Sequence, residues 1–89
     1  MRHIVVWSID SYRSLQQIWD AAGDRESVAH AIDEIHDELE TDAHQKGESR
    51  EGGLRVLFAS PLGIVFWAND RTSEVVIRAV WTFRARTGQ

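Results

Sequence analysis

The spacing of apolar and polar positions divides the chain into one strand, two helices and three further strands. His3 to Ser8 (HIVVWS) is short, β-branched and apolar, which predicts a strand. Tyr12, Leu15, Ile18, Trp19 and Ala22 then recur at helical spacing and form one apolar stripe. Asp10 or Ser11 is placed to cap that helix, and Gly23 to end it in a left-handed conformation. Asp24 caps a second helix at once, whose buried stripe is Val28, Ala31, Ile32, Ile35 and Leu39. His44 to Gly53 (HQKGESREGG) is polar, holds three glycines and predicts a mobile loop. Leu54 to Ser60 and Ile64 to Ala68 predict two strands joined by a Pro61-Leu62-Gly63 turn. A turn at residues 69–72 leads to a long last strand, Glu74 to Arg84, and residues 85–89 read as frayed.

Strict alternation in the last strand assigns its two faces. Val75, Ile77, Ala79, Trp81 and Phe83 share one, which suits packing under the helices. Glu74, Val76, Arg78, Val80, Thr82 and Arg84 share the other, which is then left open. Trp19 and Trp81 fall on core faces in this reading. Trp67 falls outside, and core packing is expected for three of the four tryptophans. The predicted class is α+β, in the order β-α-α-β-β-β, with a helical hairpin packed on a small antiparallel sheet.

With 89 residues, a single domain spanning 1–89 is expected. A domain of this size buries about 60–65% of its unfolded surface, so its core is simple and a partner can usefully cover the rest. The absence of cysteine removes thiolate chemistry and disulfides and fits a reducing compartment. The apolar run from Ile4 to Trp7 is too short for a signal peptide, and nothing approaches the ~20 residues of a membrane span. A cytoplasmic protein with no membrane partner is expected.

Charge adds an asymmetry. The net charge is −4. Residues 1–42 carry three Arg against ten acids, and residues 43–89 carry seven Lys or Arg against four. Six of the ten acids in residues 1–42 lie on the outer face of the second helix (Asp33, Glu34, Asp37, Glu38, Glu40, Asp42). This is either a solvated face or a surface with a task of its own.

Three stretches resemble the RelE/ParE toxin superfamily of bacterial toxin–antitoxin systems. HIVVWSIDSYRSLQQIW resembles its strand running into an amphipathic helix, GESREGGLRVLFASPLGIVFWAND its paired central strands, and SEVVIRAVWTFRAR its closing strand with terminal basic residues. The resemblance implies one of two activities. One is metal-independent mRNA cleavage at the ribosome, with the RNA 2′-hydroxyl as nucleophile. The other is inhibition of DNA gyrase. In both cases a cognate antitoxin neutralises the toxin, and the chain sits in homo- or hetero-oligomers. Arg55 stands near the family's basic position on the second strand, and Arg84 near that at the end of the last. Gly63 stands where RelE-like nucleases carry an arginine, and no Tyr or His follows Arg86.

The candidate catalytic set is Arg55, Arg78 and Arg84, able to hold phosphate oxygens bidentately, with His44 as a loop base beside Lys46 and Arg50. The bland alternatives are arginines that keep a sheet surface soluble and a solvated loop. The candidate antitoxin-binding residues are Trp67, Val76 and Val80, apolar on the open face. His3, His36 and His44 do not show metal-ligand spacing, so no metal or other cofactor is expected. A sequence pI near 5.4 argues against RNA docking. A second reading therefore stands beside the toxin, a diverged non-catalytic interaction module on the same fold.

Overall fold

The computed structural model describes residues 2–69 and 71–83. The elements are β1 (Ile4–Trp7), α1 (Ile9–Ala21), α2 (Arg25–Glu40), β2 (Glu48–Ser49), β3 (Leu54–Ala59), β4 (Leu62–Asn69) and β5 (Glu74–Thr82). The class is α+β as predicted. The sheet differs in being mixed and five-stranded, in the order β1-β5-β4-β3-β2, with β1 parallel to β5 and every other pair antiparallel. Strand β1 feeds α1 and the chain returns only at β5, so β1 lies on the far side of the β3-β4-β5 meander.

The helices cover one face of the sheet, α1 on β5 and α2 across β1, β3 and β4. Ile35 and Leu39 of α2 meet Leu62, Ile64 and Phe66 of β4 and Val75 and Ile77 of β5 in a core where each is fully buried. Burying a side chain of this size stabilises by about 1.5–3 kcal/mol. Two polar contacts fix how the helices sit on the sheet. Trp7 Nε1 donates to His36 Nε2 at 3.1 Å, with the rings stacked, and ties β1 to α2. Ser11 is fully buried at the start of α1, its Oγ 2.9 Å from the Ile77 carbonyl.

The caps differ from the expectation at one helix and agree at the other. Ser8, not Asp10 or Ser11, caps α1 by accepting from Ser11 N at 3.2 Å, because the helix begins immediately after β1. The end of α1 is extended at Ala22 and has no left-handed residue at Gly23. Asp24 caps α2, accepting from Ser27 N and Ser27 Oγ. These two bonds, the hydroxyl first, hold its carboxyl below the ordinary value of 3.8.

The stretch read as a mobile loop is built. It carries 3₁₀ turns at Ala43–Gln45 and Glu51–Gly53 and the short strand β2 between them. Gly47 has φ +66°, and a Cβ there would meet the Val56 carbonyl, so only glycine brings the two backbones this close.

The main departure lies in β5. Val65 pairs with Ala79 but Phe66 pairs with Ile77, which leaves Arg78 as an extra residue, a β-bulge. One inserted residue shifts the phase of every side chain after it. Val75 and Ile77 face the helices as expected. Beyond the bulge the helix-facing residue is Val80, at 7% exposure, while Trp81 and Phe83 turn to the open face. The expectations that Trp81 and Phe83 are core and that Val80 is exposed are both corrected by this insertion. Of the four tryptophans only Trp7 packs against the core, and Trp19 and Trp67 are both 37% exposed.

Candidate functional site

The open face of the sheet is almost wholly apolar, and the strand register sets it out in rows. Ile4 pairs with Glu74, which pairs with Asn69. The next row runs through four strands as Val6, Val76, Trp67 and Leu54. Ala79, Val65 and Val56 form the third, and Trp81, Gly63 and Phe58 the fourth. Phe58 is 51% exposed and meets Trp81 and Phe83 edge-on, with centroids 6.1 and 5.2 Å away.

Gly63 makes the aromatic end of this face possible. Its backbone is not left-handed, so conformation does not demand glycine. Space does, since a Cβ there would come 2.7 Å from Trp81 Cε2. The indole lies across β4 where any side chain at position 63 would stand. An arginine there, as in RelE-like nucleases, requires Trp81 to move.

Among the described residues, the predicted catalytic residues Arg55, Arg78 and His44 are not brought together. Arg55 alternates with Leu57 and Ala59, which pack toward the helices, so it lies on that side and not on the open face. Its guanidinium is already engaged, with Nε donating to the Lys46 carbonyl at 2.6 Å and an Nη to the Gly47 carbonyl at 3.1 Å. These bonds help order the segment read as mobile. Arg78 is exposed at the bulge. Arg84 lies outside the described residues. His44 follows α2 on the turn Ala43–Gln45, its ring 6.5 Å from that of His3, at the start of β1. Arg78 stands five residues further along β5 than Ser73, the residue level with His3. That is about 16 Å at strand rise.

Trp67 and Val76, two of the three predicted antitoxin-binding residues, are cross-strand neighbours in the longest row of the open face. The third, Val80, is in the core. Sequence reasoning missed Ile4, Val6, Phe58, Trp81 and Phe83 as members of the same surface. Among the described residues, Arg78 is exposed at the bulge, and Arg50 reaches Glu48, the β2 residue level with Val56, at 3.1 Å.

Searches with family models and among curated proteins gave no match. Solved structures do match. The toxin–antitoxin complex RelBE2 of Mycobacterium tuberculosis aligns with 16% identity over 93% of both chains, at TM-score 0.74. A chain of the chromosomal ParDE system of P. aeruginosa aligns with 20% identity over 93% of this chain and 98% of that one, at TM-score 0.71. This chain has the RelE/ParE toxin fold. The archaeal RelE–RelB complex of Pyrococcus horikoshii aligns over 96% of this chain with 17% identity, at TM-score 0.64. Identities this low carry the RelE/ParE architecture and not its active-site residues. Among the described residues no helix is long and apolar enough to cross a membrane.

Proposed function

We propose that this chain is the toxin of a type II toxin–antitoxin pair, that it acts on a protein target, and that a cognate antitoxin neutralises it by covering the open sheet face. The observation that carries the reading is the chemistry of that face. Three rows made mainly of apolar and aromatic side chains, together with Ile4 in the row of Glu74 and Asn69, expose Ile4, Val6, Phe58 and Trp67 to solvent. Monomers rarely expose contiguous apolar patches beyond a few hundred Å², and those that do use them to bind proteins. RNA docking calls for a cluster of cations, because phosphate neutralisation dominates affinity. The described part of this face offers Arg78, four residues along β5 from the carboxylate of Glu74, and Arg50 at the β2 edge, already paired with Glu48.

Ribosome-dependent cleavage also needs an acid, a base and a phosphate clamp within one site. Here Arg55 is turned away and held by carbonyls. His44 lies beside His3, about 16 Å from Arg78 at strand rise, and Trp81 overlies position 63. A topoisomerase such as gyrase, the target that likeness to ParE-type toxins implies, is the protein class to test first.

Induced expression in a bacterial host is expected to arrest growth without new mRNA ends in primer extension. Co-expression of a cognate antitoxin is expected to relieve the arrest. Phe58→Ser and Trp67→Ser are expected to abolish both the arrest and co-purification with the antitoxin while the purified variants stay folded. Ribosome-dependent cuts lost in Arg78→Ala would return the chain to the nuclease class. Growth unaffected by soluble, folded protein would favour the second reading, an interaction module that keeps the fold without toxicity, which the glycine at position 63 also suits.

A further inference from the structure

The helical layer carries a second unfilled apolar surface, on the side of the molecule away from the open sheet face. Helices α1 and α2 both rest on the sheet but leave a cleft of about 440 Å³ between their outer flanks, lined by Tyr12, Leu15, Gln16, Trp19, Asp20 and Ile32. Its walls are aromatic and exposed, Tyr12 at 54% and Trp19 at 37%. Trp19 is fixed from behind. The Arg25 guanidinium lies 5.6 Å over its ring, and Arg25 Nε donates to the Trp19 carbonyl at 3.0 Å. Tyr12 and Trp19 are seven residues apart on one helix, about 10.5 Å at helical rise. That spacing equals the distance between side chains two turns apart on a partner helix, the pattern by which an amphipathic helix seats its anchors in a groove.

The α2 side of the cleft states the charge of that partner. Ile32 is the α2 residue in the lining, and Ala29, Asp33 and Asp37 follow one another at four-residue spacing on the flank of α2 next to the row of Ile32 and His36. Among the described residues, Lys46 reaches Glu38 at 3.5 Å and Arg2 reaches Glu40 at 3.7 Å. No described cation pairs with Asp33, Glu34 or Asp37. Asp20 adds a carboxylate on the α1 side. Like charges at i and i+4, as at Asp33 and Asp37, weaken a helix slightly, and cations from a partner would reverse that effect.

We infer that the α1–α2 cleft is a docking site for an amphipathic helix with apolar anchors about two turns apart and a row of Lys or Arg along the flank that meets Asp33 and Asp37. The site is separate from the open sheet face, so the two surfaces can be filled together and tested apart.

The test uses two fluorescein-labelled helical peptides with Leu at i, i+4 and i+7, one with Lys along the neighbouring row and its twin with Glu there, titrated with the full chain and followed by anisotropy. The Lys peptide is expected to bind about tenfold more tightly than the Glu peptide at low salt, with the gap closing toward 1 M salt as the Debye length falls to about 3 Å. The double charge reversal Asp33→Lys with Asp37→Lys, on exposed positions that leave the core intact, is expected to invert the preference. Trp19→Ala weakens both peptides, and Phe58→Ser on the sheet face changes neither. Equal binding of the two peptides would overturn the inference. So would a preference that survives charge reversal, or binding lost in Phe58→Ser and kept in Trp19→Ala. None of these results bears on whether the chain arrests growth.

Discussion

A single methyl group at position 63 tests the packing of the open face, because its sign depends on one neighbour. Glycine in a strand interior is worse than alanine by roughly 0.5–1 kcal/mol, since it loses more backbone freedom on folding. The backbone of Gly63 is not left-handed, so alanine adopts it without strain. On conformation alone, Gly63→Ala should stabilise the protein. The new Cβ, however, would stand 2.7 Å from Cε2 and 2.8 Å from Cζ2 and Nε1 of Trp81. These atoms belong to a rigid bicyclic ring whose position is also set by Phe58. The ring must tilt or the strands must part, and overpacking of this kind costs about 1–3 kcal/mol. Net destabilisation of up to about 2.5 kcal/mol is expected, or a fall in Tm of up to roughly 20 °C for a domain of this size.

A double-mutant cycle isolates the cause. In a Trp81→Ala background the ring is gone and the same substitution should stabilise by roughly 0.5–1 kcal/mol. Urea titration of the four proteins, with unchanged m-values as the check on two-state behaviour, measures each term. Reversal of sign between the two backgrounds is the expected result. Gly63→Ala that is neutral or stabilising in the wild type, or equally destabilising in both backgrounds, would refute the placement of Trp81 over β4.

Three further substitutions probe other parts of the structure. Val80→Asp buries an unpaired carboxylate under α1 and should cost several kcal/mol, with loss of near-ultraviolet dichroism; a folded variant would return Val80 to the open face. Arg55→Ala removes two bonds from a charged donor to the carbonyls of Lys46 and Gly47. It should raise amide exchange in residues 46–50 and lower stability by about 1.5–3 kcal/mol; unchanged exchange would free Arg55 for a role on a ligand. Asp24→Ala should lower Tm at neutral pH. The Asp24 carboxyl is held below 3.8 in the folded state. Its contribution is therefore present above that value and lost as pH falls through the lower folded value, so wild type and variant should converge in acid; a gap independent of pH would show that the cap does not act through the carboxylate.

The order of elements, the buried stripe of α2 and the cap at Asp24 were all legible in spacing, because each depends on residues within one turn or one strand. Two features were not, and both are non-local. The bulge at Arg78 exists only in the pairing of β5 with β4, and nothing in SEVVIRAVWTF marks where alternation slips. The order of residues 43–53 depends on Arg55 from a later strand and on Gly47 lying against Val56. Local composition there reads as loop because the groups that fix it lie elsewhere. Arg55 left the expected basic cluster for the second reason, since it shares the helix side of β3 with Leu57 and Ala59 and is held by the carbonyls of Lys46 and Gly47.

The bulge also explains how one strand serves two surfaces. With unbroken alternation, Val75, Ile77, Ala79, Trp81 and Phe83 would all point under the helices, and the two rows of the open face that hold Ala79 and Trp81 would lose their β5 members. The extra residue lets β5 contribute Val75 and Ile77 to the core at one end and Trp81 and Phe83 to the open face at the other. A bulge interrupts the ladder locally, and the buried hydroxyl of Ser11 answers the Ile77 carbonyl at that point, together with the Ser8 backbone N–H at 2.9 Å. The first turn of α1 therefore anchors the helix and supports the bulge at once. Ser11→Ala withdraws that hydroxyl from a fully buried site and should destabilise by about 1–3 kcal/mol. It should also shift the emission of Trp81, which lies three residues beyond Arg78. Loss of stability with the aromatic face undisturbed would show that the phase of β5 is held by β4 alone.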